Sequence, residues 1–90
     1  MVVLIHSVPS LAALESLWRS ELSHERLTVA SPTEVEAGKR VTVRLEMPGP
    51  RLELTGTVCS ARREGDRYTL EVALTIKRAQ METLRKLADF

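Results

Sequence analysis

The most regular pattern in the chain is the alternation of residues 68–76, "YTLEVALTI". Large apolar side chains stand at every second position, at Tyr68, Leu70, Val72, Leu74 and Ile76. Successive side chains of a strand point to opposite faces of its sheet, so this run predicts a strand with one face toward a core. The same alternation recurs in Val41, Val43, Leu45 and Met47 and again in Leu52, Leu54 and Val58. The chain therefore carries at least three half-buried strands in succession.

Short polar turns separate these three strands. "PGP" at 48–50 cannot continue a hydrogen-bonded ladder, and "REGDR" at 63–67 is a typical turn composition. Strands joined so closely are expected to be antiparallel neighbours. Gly56 occupies an inward position within its strand and predicts a bulge or a sharp bend. A strongly curved sheet or a small antiparallel barrel would bury the apolar faces best.

Two helical patterns flank the strands. Val2–Ile5 predicts a short first strand, and Ser10, or alternatively Ser7, is expected to cap the helix that follows it. That helix has a wide apolar stripe of Leu11, Leu14, Leu17, Trp18 and Leu22. We consider the first four of these residues candidates for an interface with a second copy or another protein. At the other end of the chain Met81, Leu84, Leu87 and Phe90 return to helical spacing.

The expected architecture is one mainly β domain over residues 1–90. Residues 1–25 form the N-terminal strand and amphipathic helix, residues 26–77 the strands of a small antiparallel barrel, and residues 78–90 a C-terminal helix. Arg26 is the position at which the pattern changes from helix to strand. A chain of this length buries roughly 60–65% of its unfolded surface, which is enough for one modest core.

Composition argues against several classes of function. A formal net charge of +1 and an aromatic content of 3% do not favour a nucleic-acid partner, and the apolar run at the N-terminus is too short to span a membrane. The single cysteine, Cys59, is expected to be a half-buried strand residue in a cytoplasmic protein. The pattern of residues predicts no metal site, no cofactor and no catalytic constellation, and His6 and His24 are expected at the surface or in turns. We therefore expect a non-enzymatic module.

The segment "ELSHERLTV" (21–29), followed by "VEAGKRVTVRLEMPGPRLELTGTV" (35–58), resembles the PilZ domain family. Members of that family carry a junction of the form D/N-x-S-x-x-G that leads into a strand. The resemblance covers about residues 17–76 and implies a six-stranded antiparallel barrel with a terminal helix. It also implies a role in bacterial cyclic di-GMP signalling and motility.

The binding residues of the family match this chain only in part. The serine of the junction falls on Ser23, but Glu21 stands at the acidic or amide position and Arg26 at the glycine position. Arg19 is the only arginine upstream, where the family has a pair that clamps phosphates and stacks on guanine. If a nucleotide site survives, its residues would be Arg19, Ser23 and Arg26.

The departures favour a structural role for the junction. In that interpretation Ser23 caps or turns the chain, Glu21 is solvated, and Arg26 forms an ion pair nearby. The expected function is protein–protein contact in a signalling or motility pathway, with a non-standard PilZ-like domain that does not bind cyclic di-GMP tightly. The alternative is a cyclic di-GMP receptor with a non-standard site, and a third class is a nucleic-acid-binding barrel.

Overall fold

The computed structural model describes residues 2–49 and 51–88. The helices are α1 (Leu11–Ser20) and α2 (Arg78–Ala88), and a short 3₁₀ turn (Leu22–His24) follows α1. The strands are β1 (Val2–Ser7), β2 (Arg26–Ser31), β3 (Arg40–Glu46), β4 (Leu52–Glu64) and β5 (Arg67–Thr75). This order confirms the predicted succession of strand, helix, four strands and helix. Pro50 of the predicted turn and Phe90 of the predicted helical stripe lie outside the described residues.

The strands form one curled sheet in the order β1-β3-β4-β5-β2. The mainly β, barrel-like architecture with an N-terminal and a C-terminal helix is confirmed. Two details differ from the barrel that the family resemblance implies: five strands rather than six are present in the described part of the chain, and β1 pairs with β3 in parallel. The chain runs from β1 through α1 to β2 at the opposite side of the sheet, so β1 is not a hairpin neighbour of β3 and can pair with it in parallel.

The interior of the sheet follows the alternation of the sequence. Register pairs place Val43 opposite Leu54, and Val58 opposite Val72. The side chains that are buried on this face belong to every strand: Leu4, Leu27, Val29, Val41, Val43, Leu45, Leu54, Val58, Leu70, Val72 and Leu74. Tyr68, Ile76 and Leu52 are partly buried and pack against this cluster. Each fully buried side chain contributes on the order of 1.5–3 kcal/mol relative to its exposed state.

Gly56 has a different role from the predicted one. It pairs regularly with Leu74 and Val41, and the register shift of β4 lies at Cys59, between Val58 and Ser60. Position 56 requires glycine for a steric reason, because an added Cβ would lie 2.7 Å from the carbonyl oxygen of Ala73. Cys59 is exposed rather than half-buried, because it directly follows the inward-facing Val58 and therefore takes an outward position.

The two helices pack against each other and against the sheet. Ser10 caps α1 as predicted, and its hydroxyl accepts a hydrogen bond from the Ala13 amide at 3.1 Å. Leu14 of α1 and Leu84 of α2 are fully buried in the same cluster as the strand residues. The expectation that one helix would leave its apolar stripe uncovered is therefore wrong for the centre of α1.

Candidate functional site

The junction between α1 and β2 is a compact turn. The amides of His24 and Arg26 both donate to the carbonyl of Glu21, at 3.0 and 3.1 Å. Glu25 ends the 3₁₀ turn with a φ of 56°, and Arg26 is already the first residue of β2. The left-handed residue is thus Glu25, one position before the one that the family motif gives to glycine. Arg26 has strand geometry and needs no glycine.

Glu21 anchors the start of β2. Its Oε1 accepts a hydrogen bond from the Thr28 amide at 2.8 Å, and the residue is half-buried. A carboxylate that accepts a main-chain amide stabilises the turn, because hydrogen bonds to charged groups are stronger than neutral ones. The expectation that Glu21 is merely solvated is wrong.

The three candidate ligand-binding residues have partners within the chain. Arg19 forms an ion pair with Glu15 one turn earlier in α1. The Ser23 hydroxyl donates weakly to the Arg19 carbonyl at 3.5 Å. The Arg26 guanidinium lies 3.2 Å from a carboxylate oxygen of Glu71 on β5, which is a cross-strand pair. The side chains of Arg19 and Arg26 therefore extend toward different partners, while Ser23 borders a groove between the helices.

This groove, which we call the helix groove, has a volume of about 400 Å³. On the α2 side it is lined by Arg78, Met81, Glu82 and Arg85. Spacings of three, four and seven residues place these four side chains on one face of the helix. Met81 is half-buried without belonging to the core cluster. Leu84 and Ala88 are buried, so α2 has one face for the core and another for the helix groove.

The opposite side of the helix groove is formed by Trp18, Ser23 and Ile76. Trp18 and Ile76 are partly buried and also pack against the core, so their exposed edges form an apolar surface. Of the four interface candidates on α1, Leu14 is fully buried, Leu17 is half-buried, and Leu11 is 38% exposed. Trp18 is the only one of the four that lines the helix groove.

Three other concavities have similar volumes, so the lining residues distinguish them. One, of about 340 Å³, brings His6 of β1 near Glu21, Ser16 and Ser20. Partial burial lowers the pKa of His6 below its ordinary value, and the nearby charge of Glu21 raises it in part. The Ser20 hydroxyl donates to the Ser16 carbonyl, and the Glu21 carboxylate is bound to the Thr28 amide. This cluster therefore has the contacts of a structural site.

The remaining concavities have polar linings whose charges are paired. The first lies along the outer side of α1 and is lined by Glu15 and Arg19, which pair with each other. The second lies on β2, β4 and β5 and includes Arg62 and Glu71. Arg62 pairs with Glu64, and Glu71 pairs with Arg26. Of these four concavities, only the helix groove combines half-buried apolar side chains with an arginine, Arg85, that has no ion-pair partner among the described residues.

The sequence did not point to Arg78, Met81 or Arg85. Met81 belongs to the predicted apolar stripe of the C-terminal helix, and the two arginines are individually ordinary helix-surface residues. The heptad-like spacing of 78, 81, 82 and 85 indicates that these residues share one face of the helix. It does not indicate which part of the chain faces them. Only the packing of α2 against α1 brings Trp18 and Ser23 to the same groove.

Two of the exposed large apolar side chains lie on the outer face of β1. Val3 is 47% exposed and Ile5 is 52% exposed. Ile5 lies opposite Arg44 of β3, and Arg44 in turn lies opposite Glu53 of β4, with their charged ends 4.0 Å apart. Neither Val3 nor Ile5 lines any of the four concavities described above.

Two properties of residues 2–49 and 51–88 bear on the class of site. They contain no cluster of three His, Cys, Asp or Glu side chains that could hold a metal ion. None of their helices has the length and apolar character needed to cross a membrane.

Comparison with known proteins gives no match to a protein-family model and none to a curated protein. The likeness to PilZ domains therefore depends on the sequence segments 21–29 and 35–58.

Proposed function

We propose that the chain is a non-enzymatic interaction module with a PilZ-like half-barrel, which binds a segment of a partner protein in the helix groove. Cytoplasmic bacterial signalling or motility is the setting that the family resemblance suggests. The groove supports protein binding because it joins half-buried apolar surface to charged rims. Interfaces of this kind are built around aromatic, Met and Arg side chains, which is the composition of this groove.

One observation carries the proposal: Trp18 remains half-buried although it belongs to α1, which packs against α2, and it shares the groove with side chains of α2. A tryptophan buries 150–250 Å² when it is fully covered, so incomplete burial leaves substantial apolar area in contact with water. A partner side chain that covers Trp18 and Met81 would remove this area from water. Residues that can become desolvated in this way are frequent hot spots of binding.

The contacts within the other clusters support a binding role over catalysis. His6 and Glu21 are two titratable residues that line the same concavity, and the Glu21 carboxylate accepts a hydrogen bond from the main-chain amide of Thr28. A general base must instead reach a substrate proton at hydrogen-bond distance.

The proposal is tested by selecting peptides from an unbiased displayed library against the folded chain. The selected peptides should lose binding to a Met81→Glu variant, because a carboxylate in the groove would be desolvated by the peptide. Met81 lies outside the core cluster, so this variant should keep its melting temperature. Ile5→Glu, which places the same charge on an exposed apolar residue outside the core cluster and away from the groove, is the matched control for binding. Peptides that bind Met81→Glu as well as the native chain would refute the groove as the site.

A second candidate function is reception of cyclic di-GMP at a non-standard site. It is favoured by the position of Ser23, which borders the same groove as Trp18 and two arginines. Aromatic and guanidinium groups can stack on a base and pair with phosphate. The arginines that line this groove are Arg78 and Arg85, which follow the junction in the chain. The arginine pair of the family precedes the junction.

Calorimetric titration with cyclic di-GMP separates the two candidates. Two missing charge-assisted anchors, at about 1.5–3 kcal/mol each, would weaken binding by roughly 10²–10⁴-fold relative to a complete site. We expect no binding in the sub-micromolar range at physiological salt. If such binding is observed, Arg19→Ala and Arg85→Ala would show whether the nucleotide lies at the junction or in the helix groove.

A further inference from the structure

The charged side chains that line the helix groove are mainly positive. Its lining includes two arginines, Arg78 and Arg85, and a single carboxylate, Glu82. Arg78 interacts with Glu82 at 3.9 Å, and the Arg78 side chain is 96% exposed, so this pair is weak. Arg85 has no ion-pair partner in the described part of the chain. The groove is thus positively charged where it is also apolar.

The two arginines have a defined spacing. They are seven residues apart on α2, which corresponds to about two turns and a rise of roughly 10 Å. Met81 lies between them on the same face, with Trp18 across the groove. A complementary segment would present one large apolar side chain between two carboxylates that are also about 10 Å apart. Such carboxylates stand at positions i and i+7 of a helix, where they share one face with an apolar side chain between them.

We propose that the helix groove is selective for an acidic amphipathic segment of a partner protein, with Arg78 and Arg85 as the selectivity-determining residues. This inference rests on the proposed function, because it specifies the partner of the same groove. The apolar side chain would contact Trp18 and Met81 and provide most of the affinity. The carboxylates would fix the orientation of the segment and exclude basic segments, since charge complementarity contributes mainly specificity and association rate.

The test uses three synthetic helical peptides that differ only in two residues. The first carries glutamates seven residues apart with a leucine between them, the second has glutamines there, and the third has lysines. Binding is measured by fluorescence anisotropy of the labelled peptide. We expect the lysine peptide to bind at least about tenfold more weakly than the glutamate peptide, with the glutamine peptide in between. The difference should shrink as salt rises from 50 to 500 mM, a range chosen because it spans Debye lengths of roughly 14 to 4 Å.

Two charge-reversal variants locate the effect. Arg85→Glu should abolish or invert the preference for the glutamate peptide, whereas Lys86→Glu should change it less than about twofold. Lys86 is the matched control because it neighbours Arg85 on the same exposed helix and has the same charge, but does not line the groove. Equal effects of the two variants would overturn the inference, because they would reveal a general electrostatic attraction.

The outcomes separate this inference from the proposed function. Equal binding of all three peptides, lost in Met81→Glu, would retain the groove as a docking site and refute its selectivity for acidic partners. Binding of none of the three would refute the acidic segment as a partner. The displayed-library selection then decides independently whether the groove binds any peptide.

Discussion

The interior of the sheet and the helix groove are both built from large apolar side chains, but they differ in how completely those side chains are covered. Leu54, Leu70 and Val72 in the interior are fully buried by their neighbours. Trp18 and Met81 in the groove are only half-buried, and charged side chains lie beside them. The interior has thus realised its hydrophobic free energy within the fold, whereas the groove retains apolar surface that a partner can cover.

This difference assigns stability to one region and binding to the other. Substitutions in the interior should change the free energy of unfolding. Substitutions on the groove face of α2 should change binding while the fold stays intact.

The strongest test of the interior is Val72→Asp. This substitution buries an unpaired charge at the centre of β5 and should destabilise the fold by more than about 4 kcal/mol, a large share of the stability of a small domain. Glu71→Lys is the control on the opposite face, where Glu71 pairs with Arg26 and accepts from Ser60. Loss of these exposed contacts should cost about 1 kcal/mol or less. Thermal melts in which Glu71→Lys is the more damaging change would show that the two faces of β5 are reversed.

A smaller loss of unfolding free energy is expected at Gly56, where the interior has no room for an added methyl group. In Gly56→Ala the new Cβ would lie 2.7 Å from both the Ala73 carbonyl and the Val72 side chain. Overpacking of this kind typically costs 1–3 kcal/mol. Thr55→Ala, at an exposed neighbouring position, should cost less than about 1 kcal/mol. Denaturant unfolding curves that rank Thr55→Ala as more harmful would contradict the close approach of β4 and β5.

The interior could be predicted from the sequence because a period of two fixes which residues share a face. The positions of Val43, Leu54 and Val72 follow from this rule without knowledge of the strand order. The parallel pairing of β1 could not be predicted, since the same alternation suits either direction. The helix groove also escaped prediction, because it exists only where α1 and α2 meet. The residue that takes the left-handed conformation, Glu25, was missed because no glycine or asparagine marks it.

The junction should respond to relief of backbone strain. Glu25 has a φ of 56°, a conformation that glycine adopts with less strain than glutamate. Glu25→Gly should therefore stabilise the fold by about 0.5 kcal/mol, the relief of strain being offset in part by greater freedom of the unfolded chain. Glu25→Ala, which keeps a Cβ, should not stabilise. A melting temperature that falls in Glu25→Gly would show that Glu25 makes a contact that outweighs its strain.

The smallest effect concerns His6 and pH. Partial burial lowers the pKa of His6 below its ordinary value of 6.5, so the unfolded chain binds this proton more readily than the folded chain. Stability from this group is fully present above pH 6.5 and declines as the pH falls toward the lowered pKa. The melting temperature of His6→Gln should thus fall less steeply than that of the native chain between neutral pH and pH 5. Equal slopes would indicate that His6 is as accessible to protons in the fold as in the unfolded chain.

The fluorescence of Trp18, the only tryptophan in the chain, tests the claim that the helix groove is a docking surface. In the free chain, acrylamide should quench the fluorescence of Trp18 with a rate constant between those of fully exposed and fully buried tryptophans, because Trp18 is half-buried. Saturation with the glutamate peptide should lower that rate, since the peptide covers Trp18. A free chain in which Trp18 is already shielded, or a quenching rate that is unchanged at saturation, would contradict the claim.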